Sequence, residues 1–351
     1  MRKNYINIFQ VAVVFIGTIV GAGLASGKEI THFFTSFGYK SFLGIILCGS
    51  LYIILCSIIS KISSKNKLTS YSELMQLISP NILGKATGII TTLYLISSSS
   101  IILAGSGALI NEFFGLPKIA GSLIMVAIAY IFLLRGTDGL IEVNSFIVPL
   151  LITVLSFTAV LYFLFRRDTL TFQNIINFPP RKDGILLSTI LYSGYNILCS
   201  CGVLVPLSTK IKNSKTVILG IILGSIGLTL ICLIINLLLT VNQPYIYNYE
   251  IPLLFVANPF GSVMQGFLLI IILLEMFSTE VSDVYSISRT LNHSFNIDFK
   301  KGILLILAID LPISQIGFTN LISTLYPFFG ALSLIFIFQC ILYFFKERPY
   351  N

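Results

Sequence analysis

The sequence has no tryptophan, only two histidines, and few charges: Asp, Glu, Lys and Arg together fill 10% of its 351 positions. Each shortage removes a class of protein. A soluble domain carries about 25% charged residues, so a chain this poor in charge cannot cover its surface in water. His32 and His293 are too few for a histidine-rich metal site, and neither sits in a triad pattern. The six cysteines (Cys48, Cys56, Cys199, Cys201, Cys232 and Cys340) all fall inside apolar runs, without the paired spacing of a zinc site or a disulfide framework. No Walker loop, HExxH, GxSxG or CxxC motif is present. Neither catalysis nor an organic cofactor is expected, and no metal beyond a bound sodium ion.

What the sequence does contain is apolar length, with hydrophobic residues at 56%. Many runs exceed the roughly 18 residues that cross hydrocarbon as a helix. Lipid offers backbone groups no partner, so the spans must be helical, and no short alternating segments suggest a barrel. The pattern predicts an all-α integral membrane protein of about ten spans, at roughly 8–34, 41–60, 86–110, 119–134, 141–165, 185–207, 216–240, 261–286, 302–320 and 322–345. The segment 242–260 reads as a re-entrant or surface helix, and no cleavable signal peptide is expected.

The formal charge of +8 is topogenic in this setting and does not call for nucleic acid. With the N-terminus inside, most of the 22 Lys and Arg fall on the inner side, including Arg2, Lys3, Lys61, Lys210, Arg289 and Lys346. Both termini are therefore expected in the cytoplasm, with the basic outer segment 166–183 dissenting. Five plus five spans form an inverted repeat, because an odd-numbered unit restarts on the opposite side. The halves would be about 8–165 and 185–345, together one transmembrane domain. Span one is interrupted by Gly17, Gly21, Gly23 and Gly27, and span six carries Ser193-Gly194-Tyr195-Asn196 in mid-membrane. Breaks at matching places in two halves point to a midplane binding site.

The first span reads FIGTIVGAGLASGKEITHFF. Each mid-helix glycine weakens the helix by roughly 1 kcal/mol relative to Ala. A break near Ala22-Gly23 would offer free N–H groups and a positive dipole end to a carboxylate. The carbonyls released near Gly17 and Val20 would suit a small cation. Equally, Gly17 and Gly21 form a GxxxG packing face.

The string GTIVGAGLASGKE, with ten spans in about 350 residues, resembles the YkvI family of membrane proteins, in the amino acid–polyamine–organocation superfamily with its LeuT-type inverted repeat. The likeness covers the whole chain in layout and residues 16–30 in motif. It implies a coupling cation on the carbonyls of Gly17 and Val20, with Ser278, Thr279 and the Glu275 carbonyl from span eight. It further implies a substrate carboxylate on the Ala22 and Gly23 amides, with Ser193, Gly194 and Tyr195 lining the same cavity and Tyr195 as gate or platform. Span five lacks the Lys that replaces the cation in proton-coupled relatives, which leans toward sodium.

Several ionisable residues stand inside spans, where each costs a few kcal/mol and defaults to a functional hypothesis. Glu275 could carry a proton, pair with a cationic substrate or close a gate. Glu280 and Asp283 share a helix face, and Asp283 reads as a solvated or Arg289-paired end residue. Glu29 and His32, three apart, read as a proton relay or a polar cluster at the outer mouth. Asp310, beside Pro312, either accepts bonds from a broken turn or takes part in gating. Asn144, Tyr94 and the run Ser97–Ser100 are weaker cavity candidates. The reading that follows is a cation-coupled secondary transporter of a small amino-acid-like or amine solute, working by alternating access in the cell membrane. The alternatives are a nutrient receptor subunit on the same fold, which binds without flux, and a passive channel, which would not saturate.

Overall fold

The computed structural model describes residues 2–79, 82–166, 168, 171–211, 213–249 and 251–346. Among the described residues every regular element is helical. In chain order these are α1 (Arg2–Ile19), α2 (Ala22–Ala25), α3 (Lys28–Phe33), α4 (Lys40–Asn66), α5 (Tyr71–Ile78), α6 (Ile82–Phe114), α7 (Lys118–Leu133), α8 (Gly136–Phe165), α9 (Phe172–Asn177), α10 (Ile185–Lys210), α11 (Ser214–Thr240), α12 (Pro252–Ala257), α13 (Gly261–Phe295), α14 (Phe299–Ser314) and α15 (Phe318–Lys346). Among the described residues seven helical stretches are long and apolar enough to cross a membrane, in α4, α6, α8, α10, α11, α12 to α13, and α15. Shorter apolar helices cover Asn4–Ile19 and Lys118–Leu133.

The polarity of the bundle is that of a protein in lipid. Leu43, Ile131, Val263 and Phe338 face outward, whereas Ser99, Asn236, Glu280 and Asp310 are buried. Buried polar groups then bond across helices. Asn236 on α11 meets the Thr35 hydroxyl at 2.9 Å and donates to the Ser41 hydroxyl at 2.8 Å. Ser208 on α10 donates to Ser60 on α4 at 3.0 Å.

α1 packs on α11, α10 packs on α4 and α15, and α13 packs on α6, α8 and α14. Small residues set the close crossings. Gly224 of α11 lies under α1, where a Cβ would come within 3.0 Å of the Ala12 carbonyl oxygen. A Cβ on Gly330 of α15 would lie 3.0 Å from the Leu191 carbonyl oxygen of α10.

In the first span α1 ends at Ile19 and α2 starts at Ala22, so the helix ends two residues before the position expected from the glycines. The last turn of α1 closes with Val20 N–H donating to Ile16 O at 2.8 Å, and α2 starts after Gly21 in an extended conformation (φ −106°, ψ −168°). Gly27, at φ 80°, then turns the chain from α2 into α3. The expected break in span six is not there: α10 runs unbroken through Ser193-Gly194-Tyr195-Asn196. The reason is packing. A Cβ on Gly194 would collide with the Ser333 hydroxyl of α15, so this glycine allows close helix approach and opens no backbone. The segment 242–260 forms a 3-10 turn and the short buried helix α12, whose Leu253 N–H donates to Ser26 O at 3.0 Å.

Candidate functional site

The break after α1 leaves carbonyls without intrahelical donors, and α13 supplies donors in their place. Thr279 Oγ1 lies 2.6 Å from Val20 O, 3.3 Å from Gly17 O and 3.2 Å from Glu275 O. Ser278 Oγ lies 3.2 Å from Gly17 O. Thr279 Oγ1 is thus within hydrogen-bond distance of the Gly17, Val20 and Glu275 carbonyl oxygens, and Ser278 Oγ shares the Gly17 oxygen, all of them buried. Gly21 also faces this threonine: a Cβ there would meet Thr279 Cγ2 at 3.4 Å, an ordinary van der Waals distance. The packing and ligand readings of the glycine string meet at the same contact.

The amides of Ala22 and Gly23 at the start of α2 have no backbone acceptor among the described residues. The space beside Gly23 is taken by Glu29, whose carboxyl group a Cβ at Gly23 would strike. Glu29 is buried at 3% exposure and faces inward, not toward the mouth. Its Oε2 accepts from the Tyr195 hydroxyl at 2.9 Å. His32 does not pair with it; Lys182 reaches His32 Nδ1 at 3.3 Å and its carbonyl at 3.2 Å. The i, i+3 spacing misleads here because the Tyr195 hydroxyl offers Glu29 a bond inside the bundle. The neighbouring basic loop is similarly tied down: Arg181 lies over the Tyr247 ring at 3.6 Å, and its N–H donates to Ser36 O at 2.8 Å.

Around Tyr195 the rings form a continuous cluster. Tyr326 stacks on it at 4.9 Å and 10°, while Tyr192, Phe33 and Tyr94 approach at 5.3, 5.8 and 6.1 Å. Sequence reasoning selected Tyr195 and Tyr94 but missed Tyr192, Phe33 and Tyr326. The signal available was Tyr192, three residues before Tyr195 and so on the same helix face. Ser193, by contrast, donates to Ile190 O at 3.1 Å on its own helix, and Gly194 faces α15.

A second polar centre joins α6, α13 and α14. Ser99 Oγ lies 2.9 and 3.0 Å from the two Glu280 oxygens and 2.6 Å from Asp310 Oδ2, and Ser100 donates to Asp310 Oδ1 at 3.2 Å. One serine hydrogen cannot serve both acids at once, so the two carboxyl groups act on one another through Ser99. Ser97 of the same run bonds its own helix at Leu93 O, 2.8 Å away. Asp283 is neither solvated nor paired with Arg289. It is fully buried and accepts from Cys199 Sγ at 3.3 Å, while Arg289 Nε donates to the Tyr285 hydroxyl at 3.1 Å. Both Glu275 side-chain oxygens are buried without a hydrogen-bond partner among the described residues. The side chain of Asn144 lies outside the described residues.

Residues 5–323 match the family described as spore germination protein. The chain belongs to that family. It is also similar to the uncharacterized membrane protein YkvI of Bacillus subtilis (strain 168), with 32% identity over 96% of both chains. Among solved structures it resembles a Na+-coupled sialic acid symporter in its substrate-bound outward-open state, with a TM-score of 0.70, 15% identity, and coverage of 97% of this chain and 79% of the other. It also resembles MhsT in complex with L-phenylalanine, with a TM-score of 0.66, 13% identity, and coverage of 87% and 78%. At these identities the likeness establishes the LeuT-type fold. The structural neighbours are secondary transporters of that fold.

Proposed function

We infer that this protein is a secondary active transporter of a small amino-acid-like or amine solute, coupled to sodium and working by alternating access. The observation that carries the reading is the contact of the Ser278 and Thr279 hydroxyls of α13 with the Gly17 and Val20 carbonyl oxygens at the break between α1 and α2, beside the Glu275 carbonyl. Unwound carbonyls with hydroxyls are the donor set that a hard monovalent cation takes in broken-helix transporters. Cation and solute sites lie side by side there, because the amides of α2 follow directly on the carbonyls of α1. Binding of one ligand then helps to order the same break for the other. Glu280 and Asp310, linked by Ser99, stand as a second coupling or gating element between α13 and α14.

The reading includes ten spans in two inverted halves, about 8–165 and 185–345, in the cell membrane with both termini in the cytoplasm. In it α1 is the interrupted helix, and α10, its unbroken counterpart, contributes side chains in place of backbone.

Reconstituted liposomes test it. A sodium gradient should drive saturable uptake from a panel of labelled amino acids and amines, and the same solute should drive sodium entry. Membership of the spore germination protein family favours one second reading, a receptor subunit that binds solute without moving it. Saturable binding with no flux of solute or sodium would select the receptor, and unsaturable flux would select a channel.

A further inference from the structure

Glu29 is a carboxylate in an aromatic enclosure. Its carboxyl group rests against Gly23 and accepts from the Tyr195 hydroxyl, and the Tyr192 and Tyr326 rings pack on Tyr195. Tyr192, Tyr195 and Tyr326 are almost wholly buried, and Phe33 and Tyr94 complete the ring cluster. No basic side chain among the described residues forms an ion pair with Glu29. Lys28, next in sequence, turns away to donate to Tyr249 O at 2.7 Å, and Lys182 is held by His32. A second buried acid, Asp283, accepts from Cys199, which lies one helical turn after Tyr195 on α10. Its Oδ2 is buried without a hydrogen-bond partner among the described residues.

We propose that this enclosure is the solute site and that the solute is an organic ammonium ion with no carboxylate of its own. The assignment rests on the transport reading above and narrows it. Free amides at the start of α2 would suit a solute carboxylate, but the chain places its own carboxylate beside them. A second one brought to Gly23 would meet Glu29 at short range in a region of low dielectric. An ammonium ion there gains an opposite charge and several ring faces, the two features that recognise organic cations.

The test uses the purified full-length protein in detergent and follows its melting temperature. The probes are phenethylamine and choline, with phenethyl alcohol as the uncharged counterpart and phenylalanine as the amine that carries a carboxylate. A ligand of the folded state raises the melting temperature by mass action. Phenethylamine or choline should give a saturable rise, and phenethyl alcohol and phenylalanine should not. Glu29→Gln should weaken the amine response by about tenfold or more. Tyr195→Phe, which removes one hydroxyl, should weaken it less and serves if Glu29→Gln does not fold. A rise with phenylalanine alone, an amine response unchanged in both variants, or no response to either ammonium probe would overturn the assignment. Sodium is titrated without solute in the same preparation, to read the Thr279 site separately. A sodium response without an amine response removes the solute assignment and leaves coupling standing. The reverse pattern supports the solute assignment and removes sodium coupling.

Discussion

Thr279 on α13 holds the broken end of α1, with its hydroxyl 2.6 Å from the carbonyl oxygen of Val20. The contact joins two helices at the point where the Val20 carbonyl has no donor from its own helix. Thr279→Ala should therefore raise the sodium concentration needed for half-maximal stabilisation by about tenfold, the loss of one charge-assisted ligand. Thr279→Ser keeps the hydroxyl and should stay near the parent. Melting curves over a sodium series, with potassium holding ionic strength, make the comparison; equal sodium dependence in Thr279→Ala would move the coupling site elsewhere.

Gly23 has room for a hydrogen atom and nothing larger, because Glu29 lies where a Cβ would be. Gly23→Val should push Glu29 off the Tyr195 hydroxyl and abolish solute uptake, with a stability cost of about 1–3 kcal/mol from overpacking. Uptake assays on protein that still elutes as a single species check this. Normal uptake would place the solute away from the α2 start.

Gly194 is a packing residue, so its substitution should act on stability. Gly194→Val should lower stability by about 1–3 kcal/mol through its collision with Ser333. Ser333→Gly, which deletes the obstructing hydroxyl, should recover part of the loss. A Gly194→Val protein as stable as the parent would show that α10 and α15 can separate at no cost.

Ser99 links two acids, and the link should be visible as non-additivity. Ser99→Ala leaves Glu280 and Asp310 without their shared donor, at a cost of about 1–3 kcal/mol for buried acceptors. In a double-mutant cycle with Asp310→Asn the two effects should depart from their sum by about 0.5–3 kcal/mol. Simple additivity, read from stability in detergent, would mean that the acids do not work as a unit.

Some of this was open to a reader of the residues alone. The apolar runs demand helices because lipid leaves the backbone no other partner, and among the described residues seven of the predicted spans are long and apolar enough to cross. The glycines at 17, 21 and 23 mark the interruption of the first span, since helix propensity is local and adds along the chain. The oxygens of Gly17, Val20, Glu275, Ser278 and Thr279 could be named as a group only through resemblance to a known family, because nothing local joins α1 to α13. What only the tertiary structure decided is where each polar side chain finds its partner. Gly194 in α10 reads as a breaker until Ser333 is seen against it. Glu29 reads as part of the outer mouth until Tyr195 draws it inward, and Asp283 reads as an end residue until it is seen buried against Cys199 of α10, with Arg289 bonded to Tyr285 instead. Helix formation depends on near neighbours in sequence; the pairing of buried charges depends on which helices are brought together, and a single chain's spacing carries no record of that.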